Sequence, residues 1–464
     1  MLFTIKSAVL KEGAYHFPKT VKAIAHKALC TDAVRTLFHN FTYTASTLDM
    51  SETDALSLSI GDATPIALDG NTYALRVSES GVYLTAKDEN ELLRGFMVLL
   101  DRILPTDNGA KIECCDILDT PRIGVRMVHL CVFHETELWE VHRFLRAAAV
   151  LRFTHVILEF WGMLRYDCLP ELGWKEAFTK EEIRPIIEEV RSLGVEVVPM
   201  FNHWGHASAC RVMHGKHVVL DQNPRLASLF TAEGWCWDIR SEKTRALLRE
   251  VRAELCELCG DGSYFHIGCD EAYDFTFTKE HMDAITDYIN EIGAELEAMG
   301  RRVIVWGDMF LTHKPTHSKE NAYACNAPSE EAASYLISRL HPRTVVADWQ
   351  YGAKKAPVET VYDFQNAGLD CIVCSWDRGV PQLQSCITTA CDAALFGFMH
   401  TTWHTLSQGY PYTAMAAALA CGNPSGIDRH HYLTACASIL RRVYPALGDY
   451  AHTGFSKVDT ADLV

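Results

Sequence analysis

The chain has 464 residues, is apolar at 48% of positions and charged at 22%, and carries a formal charge of -16. That length can supply the core of two or three domains, or of one large barrel with an added module. The acidic balance disfavours nucleic acid and anionic membrane surfaces, whose binding draws on clustered Lys and Arg.

The opening MLFTIKSAVLKEG shows no basic leader, and nowhere do about twenty uninterrupted apolar residues occur. The expected location is therefore the cytoplasm, with no membrane partner. Seventeen cysteines then read as small buried thiols in a reducing compartment. The C-x-x-C pairs Cys256/Cys259 and Cys371/Cys374 lack nearby companions for a metal.

Residues 1 to about 118 read as a small α/β domain. YALRVSESGVYLTAKDENELLRGFMVLLDRIL gives strand, Ser-Gly turn, strand, then a helix with Leu92, Phe96, Leu99 and Leu100 on one face. Beyond DILDTPRIG, eight β-rich apolar runs alternate with helical periods. The runs are GVRMVHLCV, THVILEFW, VEVVPMFN, SYFHIGCD, RVIVWGDM, TVVADWQ, DCIVCSW and GFMHTTW. The helix TKEEIRPIIEEVRSLG opens on a capping box from Thr179 to Glu182 and closes on Gly194. Strands buried on both faces and separated by helices predict a (β/α)8 TIM barrel. The expected division is 1–118 for the small α+β domain, 119–410 for the barrel, and 411–464 for C-terminal helices packed outside it.

Barrel enzymes work at the C-terminal ends of their strands, and unusual residues gather at the ends expected here. They are Glu159 and Trp161, then His203, Trp204 and His206, then Asp270 and Glu271. Trp306 and Asp308, Asp348, Trp349 and Tyr351, Trp376 and Asp377, and Trp403 and His404 follow. In an ideal strand Asp270 and Glu271 would face opposite ways. To share a site, the backbone must leave strand geometry between Gly268 and Asp270. Neighbours in sequence can hardly straddle a sugar ring as the two acids of most glycosidases do. They better suit one acid that protonates a leaving oxygen and another that manages a group on the substrate. Trp306, Trp349, Trp376 and Trp403 are candidate flat apolar walls for a ligand at this rim.

HIGCDE resembles the H-x-G-x-D-E signature of the family-20 β-N-acetylhexosaminidases. FNHWGHAS is similar to that family's P-G-H-A segment, VWGDM resembles its W-[DE]-[DE]-M element, and the strand-two ending EFWGMLRYD is more like its shorter intracellular branch. The resemblance implies that the 2-acetamido group of a terminal GlcNAc or GalNAc attacks its own anomeric carbon. Asp270 would orient that group and Glu271 would act as acid, then base. It implies substrate contacts from Arg126, His206, His266, Trp306, Asp308, Trp349, Tyr351, Trp376 and Trp403. Glu159 either binds hydroxyls or fills a barrel layer. No cofactor and no metal are implied. The partner is a glycan or glycoconjugate ending in N-acetylhexosamine, and a homodimer is left open. The scheme requires Glu271 protonated near neutral pH while Asp270 stays ionised. Thr405 stands where many members carry a sugar-binding Glu, and Cys269 replaces a small residue. The competing readings are a metal-dependent barrel hydrolase, a non-catalytic carbohydrate binder, and a two-carboxylate glycosidase using Glu159 or Asp308.

Overall fold

Period-two burial builds the first layer, as in Thr20–His26, where Val21, Ala23 and Ala25 are buried and Thr20, Lys22 and Ile24 are exposed. In chain order the strands are β1 (Ser7–Phe17), β2 (Thr20–His26), β3 (Thr47–Thr53), β4 (Ser57–Gly61), β5 (Tyr73–Ser78), β6 (Gly81–Ala86), β7 (Leu104–Thr106) and β8 (Gly109–Asp119). They form one sheet in the order β1-β8-β5-β6-β4-β2-β3, with β7 beside β8. Only β2 and β3 run parallel among these described pairs. Helices α1 (Asp32–Phe41) and α2 (Glu89–Asp101) pack on it. Thr31 and Asp88 cap them by accepting from the N–H groups of Val34 and Glu91.

This computed structural model describes residues 5, 7–208, 220, 223–403, 406–422 and 429–444. The second unit is a closed parallel barrel of β9 (Val125–Val132), β10 (His155–Phe160), β11 (Glu196–Met200), β12 (Tyr264–His266), β13 (Arg302–Trp306), β14 (Val345–Trp349), β15 (Asp370–Ser375) and β16 (Gly397–His400). Met127, Ile157, Val198, Ile304, Ile372 and Met399 fill its interior as a packed core. Around it lie α3 (Leu138–Val150), α4 (Lys180–Ser192), α5 (Glu242–Cys259), α6 (Lys279–Ala298), α7 (Glu330–Arg339), α8 (Val361–Asn366) and α9 (Val380–Asp392). The Thr179/Glu182 capping box forms at the start of α4.

Residue 410 falls inside α10 (Leu406–Cys421), which packs on α9, β16 and β9. After it, α11 (Arg429–Val443) bridges α3 of the barrel and α1 of the small domain. A second bridge is buried. Arg152 Nη1 donates to Tyr73 Oη at 2.8 Å and to Asp119 Oδ2 at 2.9 Å, and Tyr73 also donates to Asp119. All three side chains are sealed from solvent. Such a pair is held by geometry, because removing one partner strands the other's charge in a medium of low polarity. Among the described residues no helix is long and apolar enough to cross a membrane.

Candidate active site

Strand β12 lasts three residues, and the chain then turns through Gly268, Cys269 and Glu271 at φ of 67°, 76° and 46°. Two non-glycine residues in the left-handed region are costly and persist where surrounding contacts impose them. The turn is the departure from strand geometry that a shared site for Asp270 and Glu271 requires. Gly268 permits it, since a Cβ there would meet Asn202 Oδ1 at 2.3 Å. Gly205 lets the loop after β11 lie against the turn, where a Cβ would meet the Asp270 carbonyl oxygen at 2.0 Å.

His206 bridges the two acids. Its Nε2 lies 2.8 Å from Glu271 Oε2 and 3.3 Å from Asp270 Oδ2. Asn202 Nδ2 donates to Asp270 Oδ1 at 2.9 Å. The Glu271 backbone is held at both ends, its N–H donating to Asp308 Oδ2 at 2.9 Å and its carbonyl accepting from Trp235 Nε1 at 2.6 Å. Asp308 also accepts from Asn326 Nδ2 at 2.7 Å and Trp349 Nε1 at 3.0 Å.

The acids open onto a hollow of about 770 Å³ walled by Trp161, Trp306, Trp349, Trp376 and Trp403, with Tyr351 among them. Tyr351 Oη accepts from Trp403 Nε1 at 2.8 Å and lies 2.8 Å from Thr401 Oγ1. Thr401 spends its own proton on the Ser375 carbonyl, at 2.9 Å. The Tyr351 proton therefore points at Thr401, where a better acceptor could claim it.

Electrostatics divide the carboxylates. Burial is the largest influence on Glu271 and raises its pKa, but the hydrogen bond and charge of His206 together with the hydrogen bond from Tyr273 outweigh it and the repulsion from Asp270. The net position lies below the usual glutamate value. A Glu271 protonated near neutral pH is thus corrected for the free site, because a donor faces its carboxylate. Asp308 moves the opposite way, pushed up to about 7 by burial and then by the nearby Asp270 charge.

Other expectations need correction. Arg126 occupies the second position of β9, at the opposite end of the barrel from the acids. Its guanidinium donates to the carbonyls of Ile123, Gly124 and Arg152, so it is structural. Glu159 and His266 are wholly buried behind the walls. Glu159 pairs with His129 at 2.9 Å, whose ring centroid is 4.4 Å from that of Trp403, and the His266 ring is 4.4 Å from Trp306. Both therefore support aromatic walls and do not line the hollow. Asp308, likewise buried, holds Glu271 and Trp349 in place of touching a sugar. His206, Asp270, Glu271, Trp306, Trp349, Tyr351, Trp376 and Trp403 do line it. Thr405 and His404 lie outside the described residues.

Sequence reasoning missed Lys354 and Arg378 on the rim and Trp235 and Tyr273 beside Glu271. Lys354 and Arg378 follow strands six and seven, so their place at strand ends was an available signal. Trp235 comes from a long loop and had none. Tyr273 sits two places after Glu271 in the same turn. Among the described residues, the group of His, Cys, Asp and Glu whose ligand atoms lie within 4.8 Å of one another is His206, Asp270 and Glu271, and it includes no cysteine.

A parallel barrel whose C-terminal rim presents an acid pair in a tryptophan-walled hollow is equipped for acid–base work on a flat, sugar-sized ligand. The model of the glycosyl hydrolase family 20 catalytic domain matches residues 158–378. Solved structures similar in fold include an exo β-N-acetylglucosaminidase from Vibrio harveyi, with TM-score 0.68 and 14% identity, covering 96% of this chain and 76% of that one. A chitobiase of Flavobacterium johnsoniae gives 0.69 and 18% over 95% and 72%. The N-acetyl-β-hexosaminidase of Streptomyces plicatus gives 0.65 and 17% over 95% and 94%. A lacto-N-biosidase from Bifidobacterium bifidum is 21% identical over 244 residues, which is 48% of this chain and 19% of that protein. The chain thus spans about a fifth of the length of that curated relative.

Proposed function

We propose that this chain is an exo-acting β-N-acetylhexosaminidase that removes terminal β-linked GlcNAc or GalNAc with retention, using the substrate's acetamido group as nucleophile. One observation carries the reading. Among the described residues, the carboxylates lining the hollow are Asp270 and Glu271, adjacent in sequence and bridged by one imidazole. Two acids so placed cannot stand on opposite faces of a sugar ring. Asp308 and Glu159 are buried out of reach, which argues against a two-carboxylate scheme.

In the proposed first step the acetamido oxygen bonds to the anomeric carbon as the bond to the leaving oxygen breaks, and Glu271 gives that oxygen its proton. Asp270, steadied by Asn202, holds the acetamido N–H and balances the positive charge of the oxazolinium ion. Tyr351 turns its proton from Thr401 to the acetamido oxygen. Water then attacks the same carbon, Glu271 takes its proton, and the acetamide is restored. Because Glu271 titrates low in the free site, turnover is favoured on the acidic side. A seated sugar that excludes water adds to its burial and moves it toward the protonated form.

The catalytic unit is proposed to comprise the barrel with α10, flanked by the small domain near 1–118 and the later helices. A cytoplasmic location is supported by all sixteen described cysteines being free thiols. A homodimer is the assembly to test by light scattering. The deciding experiment compares 4-nitrophenyl β-GlcNAc and β-GalNAc with the matching glucoside and galactoside. Equal cleavage of the sugars lacking the acetamido group would overturn the proposal, as would a thiazoline mimic binding no better than free GlcNAc. A second reading draws on the closeness of His206, Asp270 and Glu271 as a metal trio. A stoichiometric ion required for turnover would favour it.

A further inference from the structure

Two cations stand on the rim of an otherwise acidic and aromatic hollow. Lys354 follows β14 and Arg378 follows β15, and both line the same space as Asp270 and Glu271. The Arg378 Cζ lies 4.0 Å from the centroid of the Trp376 ring, so the guanidinium rests on a wall of the site. Stacked in this way, a guanidinium keeps its in-plane N–H groups available for an acceptor. Both residues are exposed, and among the described residues neither enters an ion pair. Elsewhere on the chain Lys and Arg are commonly paired, as Lys355 is with Glu320 at 2.9 Å and Lys180 with Asp167 at 2.6 Å.

Lys354 also lines an adjoining hollow of about 520 Å³ together with Arg122 and Lys355, and no carboxylate is among its lining residues. On a chain of formal charge -16, a strip of Arg378, Lys354 and Arg122 leading away from the reaction centre, with Lys355 beside it already paired to Glu320, runs against the overall sign. A neutral glycan gives such a strip nothing to meet. A carboxylate or sulfate on the substrate would gain charge-assisted hydrogen bonds from it.

We propose that Lys354 and Arg378 form a subsite for an anionic group on the substrate, so that the preferred hexosaminide carries a carboxylate or sulfate. This rests on the hexosaminidase reading of the same hollow. The charge can sit on the released sugar, as in a 6-O-sulfated GlcNAc, or on the leaving sugar, as in GlcNAc β-linked to a uronic acid.

The test measures kcat/KM for two matched pairs: 4-nitrophenyl β-GlcNAc with its 6-sulfate, and GlcNAc linked to glucuronate with GlcNAc linked to glucose. The wild-type ratio of anionic to neutral substrate should exceed one in one pair, which identifies the source of the charge. It should fall as salt is added, a readout that needs no variant. Lys354→Met with Arg378→Met should lower that ratio about ten-fold or more, the scale of one lost hydrogen bond to a charged group. If the cations only offset the site's own carboxylates, the variant slows both members of a pair alike and the wild-type ratio is one or less, which overturns the subsite. Cleavage of 4-nitrophenyl β-GlcNAc with no anionic preference defeats the subsite and leaves the hexosaminidase reading standing. No cleavage of any hexosaminide defeats both.

Discussion

Asp308 offers the sharpest test of how the site is held. Its carboxylate accepts three hydrogen bonds, from Glu271 N–H and Asn326 Nδ2 at Oδ2 and from Trp349 Nε1 at Oδ1. Asp308→Asn keeps the shape and replaces one oxygen by an NH2 group. If the amide oxygen takes the Oδ2 place, the new NH2 faces the Trp349 indole N–H, donor against donor. The flipped amide would strand two donors. The milder mismatch costs about 1–3 kcal/mol, the range for a buried polar group left unpaired. Spent on the placement of Glu271 and Trp349 in the transition state, it corresponds to a loss of roughly 5- to 150-fold in kcat. The assay is steady-state turnover of 4-nitrophenyl β-GlcNAc together with denaturant unfolding across pH.

Stability should respond with the opposite sign. The folded pKa of Asp308, about 7, lies above the ordinary 3.8, so between those values the native state holds a proton that the unfolded chain has released. Its contribution to stability is therefore full below about 3.8 and lost as pH rises through about 7. Asp308→Asn removes this slope and should lose less stability than the wild type between pH 5 and pH 8, a window of about that titration. A variant with kcat within two-fold of wild type and an unchanged stability slope would refute the assigned role.

Glu271→Gln should cut turnover of alkyl or sugar leaving groups by about 10²–10⁴-fold, the usual worth of a general acid. 4-Nitrophenyl glycosides, which depart without a proton, should suffer less in the first step, and equal losses on both substrates would count against the assignment. Tyr273→Phe removes a hydrogen bond that lowers the Glu271 pKa. The alkaline limb of kcat/KM, which reports the free enzyme's acid, should then move to higher pH, and a move the other way would contradict the electrostatic account. Arg152→Ala leaves Asp119 buried without its cation and should destabilise the protein by about 3–5 kcal/mol in denaturant titrations. A loss under 1 kcal/mol, roughly that of an exposed pair, would show that water reaches the site.

The barrel was legible because its strands announce themselves as apolar runs and its helices carry their own stop and start signals, such as Thr179 and Gly194. The acid pair was legible because Gly268 beside two carboxylates makes little sense in a continuing strand. What escaped were directions and long-range partners. The family resemblance implied a substrate contact from Arg126, yet three backbone carbonyls consume its guanidinium. Glu159 and His266 belong to inward-facing barrel positions, and a linear reading cannot separate a residue that touches a cavity from one a layer behind it. Trp235 reaches Glu271, and Asn326 reaches Asp308, from distant loops, and no local pattern marks either meeting.

Pairing between β11 and β12 rests on Met200 opposite His266, so the sheet ladder ends before the acids begin. Glu271 hangs from Trp235 and Asp308, and His206 and Tyr273 govern its affinity for a proton. Acid strength is thereby separated from barrel integrity. Drift in a handful of loop positions can retune the working pH of this scaffold while every strand stays as it is.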